Sequence, residues 1–223
     1  MRVSEFQRQL REAPLEPADT DRGATQLNSL NSSLLQDLLR FEPAAGKGLE
    51  LLEVLAAAVR HGRPLRVFLQ HGFQVAPVSV FPAQRLVHTP MRLQAFLDLR
   101  LAELRVLQVQ NEKLEPAQAP GHAGSLGLLL WELALRGSRN ALLPEIAGQA
   151  AYRVAPGCSF DELGLKGSLG AAVERLGEEA TTLRGIAQWP GFDDDRARRL
   201  LNGLYLQAAL IVSRSTPAAT QRD

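Results

Sequence analysis

Two hydrophobic periods alternate along the chain, and the switches between them mark out its elements. Leu34, Leu35, Leu38 and Leu39 recur at helical spacing behind the capping-box pair Ser33 and Gln36, which predicts a short amphipathic helix. A second helix is predicted from Leu49, Leu52, Val54, Leu55 and Val59, with Gly62 placed as its stop ahead of Pro64. The period then drops to two. Leu65, Val67 and Leu69 alternate with Arg66, Phe68 and Gln70, His71 and Gly72 fall where a tight turn needs positive φ, and residues 73–81 read as the returning strand. Pro77 within that strand belongs at an edge or a bulge. Residues 85–88 read as a third strand. Thr89 and Pro90 then open a helix facing inward through Leu93, Phe96 and Leu97, and residues 104–110 return to strand.

Residues 115–124 hold two prolines, two glycines and no large apolar side chain, which is linker composition. Beyond them Ser125 caps a helix that is apolar almost all round, from Leu126 through Trp131 to Leu135, and Gly137 ends it. Residues 152–154 suggest a short strand. Helices are expected at 168–176, 182–188 and 193–208, with Trp189, Pro190 and Gly191 as a break and a strand at 210–213. Helix, helix, turn, helix, strand is the order of a winged-helix module. The expected fold is α+β. A mobile leader (1–32), dispensable for folding, precedes a small helix-plus-antiparallel-sheet domain (33–116). A linker (117–124), a mostly helical winged-helix-like domain (125–214) and a tail (215–223) follow.

The motifs LELLEVL at 49–55, PLRVFL at 64–69, RLVH at 85–88 and LQAFL at 93–97 resemble the PATAN-type module, named after the PatA N-terminus. TTLRGIA at 181–187, GF at 191–192, RLLNGL at 199–204 and ALIV at 209–212 are similar to the winged-helix-like tail that often follows it. Two places depart from the pattern: Gln84 stands where a glycine commonly precedes the strand arginine, and Thr89 and Pro90 follow His88 in place of small residues. The resemblance implies a non-catalytic adaptor in bacterial signalling or surface motility, with another signalling or motility protein as its partner.

Composition narrows the chemistry. A formal net charge of +1 provides no global attraction to nucleic acid or to an anionic membrane. One cysteine, Cys158, forms no internal disulfide, and residues 124–137 are too short to span a bilayer, so a cytoplasmic protein without membrane insertion is expected. No catalytic, metal or cofactor motif is read. His61, His71, His88 and His122 lack metal-ligand spacing, Gly164, Gly167 and Gly170 lack the P-loop lysine, and Asp193, Asp194 and Asp195 fit helix capping.

Two surfaces remain as candidates. The expected protein-binding set is Arg66, Phe68, Arg85 and His88 on the small sheet, where Phe68 is either an interface anchor beside arginine or, if helices cover both faces, part of the core. The alternative is a DNA-binding transcriptional regulator using Arg196, Arg198, Arg199 and Asn202 on the third C-terminal helix. Seven arginines against seven acidic residues over 167–223 weigh against it, because phosphate binding draws on excess positive charge. The hairpin reading carries its own test. Gly72→Val is expected to lower the unfolding midpoint by the equivalent of about 1–2 kcal/mol, the cost of a side chain in left-handed backbone.

Overall fold

The computed structural model describes residues 26–28, 30, 32–40 and 49–214, the side chains of residues 28 and 40 excepted. The tail 215–223, the break at 41–48 and most of the expected leader lie outside the described residues. The fold is α+β, with seven α-helices, a six-stranded mixed sheet and a three-stranded sheet among the described residues.

Helix α1 (Ser32–Arg40) buries Leu34 and Leu38, and α2 (Leu51–His61) begins with a reciprocal capping arrangement between Glu50 and Glu53. Gly62 ends α2 at φ 59°, its N–H reaching the carbonyls of Ala58 and Val59. Strands β2 (Leu65–His71) and β3 (Gln74–Phe81) form a hairpin whose last pair is His71 with Gln74. The central turn residues are therefore Gly72 and Phe73, with Gly72 at φ 60° as a type II′ turn requires. β4 (Leu86–Thr89), α3 (Leu93–Leu97) and β5 (Arg105–Asn111) follow, β4 pairing with β3 and β5 with the other side of β2. Pro77 lies where β3 runs past the pairing with β4, the edge-like place a missing N–H requires.

Three expectations need correction. β1 (Gln26–Asn28) pairs in parallel with β5, and Leu27 and Leu30 pack against the core, so this part of the expected mobile leader belongs to the fold. The expected linker holds a 3-10 turn at Pro116–Gln118 and then β6 (His122–Ser125), which pairs along β4 and gives the sheet order β1-β5-β2-β3-β4-β6. Arg85 is not in a strand. It sits at φ 53°, closing the 3-10 turn Pro82–Gln84 before β4 begins.

The second half is built on α4 (Leu126–Arg136), capped by the Ser125 hydroxyl, which accepts from the Leu128 amide. β7 (Ala151–Val154), α5 (Gly167–Glu178), β8 (Thr181–Thr182), α6 (Leu183–Ala187), α7 (Asp194–Leu206) and β9 (Leu210–Ser213) follow, with β7 central between β8 and β9. One apolar cluster runs through both halves. It takes in Leu65, Val67, Val80 and Val109 of the large sheet, Leu55 of α2, Trp131 of α4 and Leu200 and Leu204 of α7. Two ionic links also cross the expected boundary. Arg139 pairs with Glu53 at the start of α2, and Arg60 on α2 joins Asp37 of α1 to Glu145.

α4 and α7 cross closely because Gly203 has no side chain: a Cβ there would stand 2.7 Å from Cε3 of Trp131. Gly203→Ala is expected to destabilise the protein by about 1–3 kcal/mol through overpacking. Gly177→Ala, in α5 with nothing within 4 Å of the added carbon, is expected to stabilise it by about 0.5–1 kcal/mol. Urea unfolding midpoints of the two variants check the pair.

Candidate protein-binding surface

Side chains alternate across a strand, so Arg66 and Phe68 point away from the face that carries Leu65, Val67 and Leu69. Register then carries this second face across the sheet. Gln110, Arg66, Ser79, His88 and Ala123 form one cross-strand row, and Gln108, Phe68 and Pro77 form the row beside it. Arg66 and His88 thus stand in the same row with Ser79 between them, and Phe68 is their neighbour.

The chain from β5 to β6 must cross this face to reach the opposite edge, and it closes over the first row. Glu112 accepts a bidentate pair from Arg66, with Nε at 2.9 Å and Nη2 at 3.0 Å, and a hydrogen bond from the Ser79 hydroxyl. Its side chain is 1% exposed. Burial opposes ionisation of Glu112, but the hydrogen bonds from Ser79, the Leu114 amide and Arg66, together with the Arg66 charge, outweigh it and hold the carboxyl below its ordinary range. His88 is 8% exposed; its Nδ1–H donates to the Ala119 carbonyl at 3.1 Å, and its ring meets Phe81 edge-on at 5.6 Å. Arg66 and His88, both expected on a protein-binding surface, hold the crossing segment to the sheet in this geometry. Arg85 stands apart from the row, exposed, with Nη2 donating to Gln207 Oε1 at 3.2 Å.

Phe68 remains half-buried in the second row, outside the main apolar cluster. The hairpin ends next to it. Phe73 is fully exposed at the turn, and Val75 follows on β3, more than a third exposed. Sequence reasoning missed Phe73 because it set the turn one residue early; a two-residue loop with glycine first was the signal available. β2, β3 and β5 contain no acidic residue, and Arg105, opposite Gln70, is exposed near the hairpin end.

The candidate DNA-reading side chains of α7 are held by the chain itself. Arg196 donates to the Gly191 carbonyl at 2.7 Å and the Ser168 hydroxyl at 2.8 Å. Arg198 pairs with Asp194 at 3.2 Å, and Arg199 with Asp195 at 2.7 Å and with the carbonyls of Leu135 and Gly137 that end α4. Asn202 is 1% exposed and bridges the Leu143 amide and the Ala141 carbonyl, both at 2.9 Å. Asp193 caps α7 by accepting from the Arg196 amide at 2.7 Å.

Among the described residues no group of three or more His, Cys, Asp or Glu side chains is arranged to hold a metal ion, and no helix is long and apolar enough to cross a membrane. No protein-family model, curated protein or solved structure matches the chain.

The Glu112 clamp has a pH signature. Its folded pKa lies below the ordinary value of 4.5, so its contribution is fully present above that value and is lost as pH falls through the lower folded value. Glu112→Gln is expected to lose about 1.5–3 kcal/mol at neutral pH, the worth of hydrogen bonds to a charged group. In acid the difference from the parent protein is expected to shrink. Denaturant unfolding across pH checks both.

Proposed function

We propose that the protein is a non-catalytic adaptor that binds another protein through the hairpin end of its large sheet. The observation that carries this reading is Phe73, an aromatic ring fully exposed on a two-residue turn whose geometry is fixed by Gly72. A large apolar side chain presented at full exposure on a tight turn is suited to an interface anchor. Val75 and the half-buried Phe68 extend the apolar surface from the tip, while Arg66 and His88 stabilise the sheet beneath it.

The partner that fits is a protein with an apolar pocket and an acidic rim, because the strands around the tip carry Arg105 and no carboxylate. The resemblance to the PATAN-type module supports a bacterial signalling or surface-motility protein in that role, met in the cytoplasm. The alternative, a transcriptional regulator, lacks support from α7, whose Arg196, Arg198, Arg199 and Asn202 are engaged within the chain.

Affinity capture from the native cell followed by mass spectrometry tests the reading. Phe73→Ser is expected to abolish capture of a partner that the parent protein retains, with an unchanged unfolding midpoint, and Arg105→Glu to weaken it. Retention of the same partner by Phe73→Ser places the binding surface elsewhere. In the same preparation duplex DNA is expected to bind only as weak, salt-sensitive background. Sequence-selective binding at physiological salt that is lost in Arg198→Ala plus Arg199→Ala would reverse the assignment.

A further inference from the structure

A cavity of about 350 Å³ opens where the two halves of the chain meet, bordered by Arg85, Leu128, Phe160, Glu162, Leu163 and Gln207 among others. This is the lower end of small-molecule sites, which gather where parts of a fold adjoin and combine apolar walls with a few polar groups. Arg85 and Glu162 are the charged residues of its border. Neither forms an ion pair with a described residue, whereas Arg66, Arg139 and Arg199 are closed on carboxylates. The border of the cavity therefore carries one charge of each sign without an ion-pair partner among the described residues.

Arg85, though exposed, is positioned by its backbone and by one side-chain hydrogen bond. Its amide closes the turn on the Pro82 carbonyl at 3.1 Å, and its carbonyl accepts from the Leu126 amide at 3.0 Å. Its Nη2 donates to Gln207, whose own amide donates to the Gly127 carbonyl at 2.8 Å. Gly127 makes room for the guanidinium: a Cβ there would stand 3.1 Å from Nη2. Arg85 and Ala208 are the two non-glycine residues with positive φ among those described, and Ala208 lies between Gln207 and Ala209, both on the same border. A glycine would adopt the backbone of position 85 without strain, whereas an arginine holds its side chain there at a conformational cost.

We propose that this cavity binds a small zwitterion of amino-acid type. Its carboxylate meets the Arg85 guanidinium, which presents paired N–H donors in the geometry a carboxylate accepts. Its ammonium meets the Glu162 carboxylate, and its side chain packs toward Leu128, Phe160 and Leu163. A site with one charge of each sign selects against simple anions, which meet Glu162, and against simple amines, which meet Arg85.

Cys158 borders the same cavity, is exposed, and is the one cysteine of the chain, so its reactivity reports occupancy. The test measures the labelling rate of the full-length protein by a chromogenic disulfide with each common L-amino acid in turn, and with acetate, inorganic phosphate and methylamine. At least one amino acid is expected to slow labelling severalfold at saturation, while acetate, phosphate and methylamine do not. Arg85→Gly, which keeps the backbone conformation, and Glu162→Gln, at an exposed turn, are each expected to weaken that protection about tenfold or more, as loss of one charged contact should. Should Arg85→Gly fail to fold, Glu162→Gln carries the test. The proposal is overturned if no amino acid slows labelling, if acetate or phosphate slows it equally, or if Glu162→Gln leaves protection unchanged.

Discussion

The contact on which the rest of the structure depends is the crossing of α4 and α7 at Trp131 and Gly203. α4 is apolar on nearly all sides, and such a helix is stable in water only when several partners cover it. The cluster that holds it includes residues from strands of the large sheet and from α7. Gly203 lets α7 lie against the Trp131 indole, and polar groups of α7 add hydrogen bonds at this crossing. Arg199 satisfies the carbonyls that end α4, and Asn202 satisfies the loop that leaves it. Each half thus completes the burial of a helix that neither covers alone.

The same constraint governs what the surface has left to offer. The arginines of α7 contact the end of α4, the turn before α7 and the aspartates of its own first turn. Arg139 and Glu53 form a buried pair between the halves, in which burial raises the Glu53 pKa against the lowering pull of Arg139. Arg60, Asp37 and Glu145 form a second link between them. Outside these links, the hairpin tip presents an exposed apolar side chain, and the cavity beside α4 is bordered by two opposite charges.

Local pattern made much of this legible in the sequence. The β2–β3 hairpin, the Gly62 stop, the capped start of α4 and the helix over 193–208 follow from periodicity and from residues whose backbone preferences leave little choice. What stayed hidden depends on contacts distant in sequence. β6 consists of His122, Ala123, Gly124 and Ser125, a composition with no hydrophobic alternation, and it is small because it packs tightly: a Cβ on Gly124 would stand 2.8 Å from Leu93. The same smallness made it read as linker. Arg66 and Glu112 lie 46 residues apart, so their pairing, and with it the role of the crossing segment, follows only from strand order. Of the candidate surface, the shared face of Arg66 and Phe68 was readable from alternation. His88 joined their face only through the register of β3 with β4, and Arg85 left the strand because the turn at Pro82 absorbs it.

If α4 is the shared element of both halves, they must unfold together. The most direct measurement is urea unfolding followed in parallel by tryptophan fluorescence, which reports Trp131 and Trp189, and by hydrogen exchange of the β2 and β3 amides in the large sheet. The account expects one cooperative transition with coincident midpoints for both probes. Separate midpoints, with the sheet amides still protected after the tryptophan signal is lost, would contradict it and return the molecule to two independent domains joined at the crossing segment.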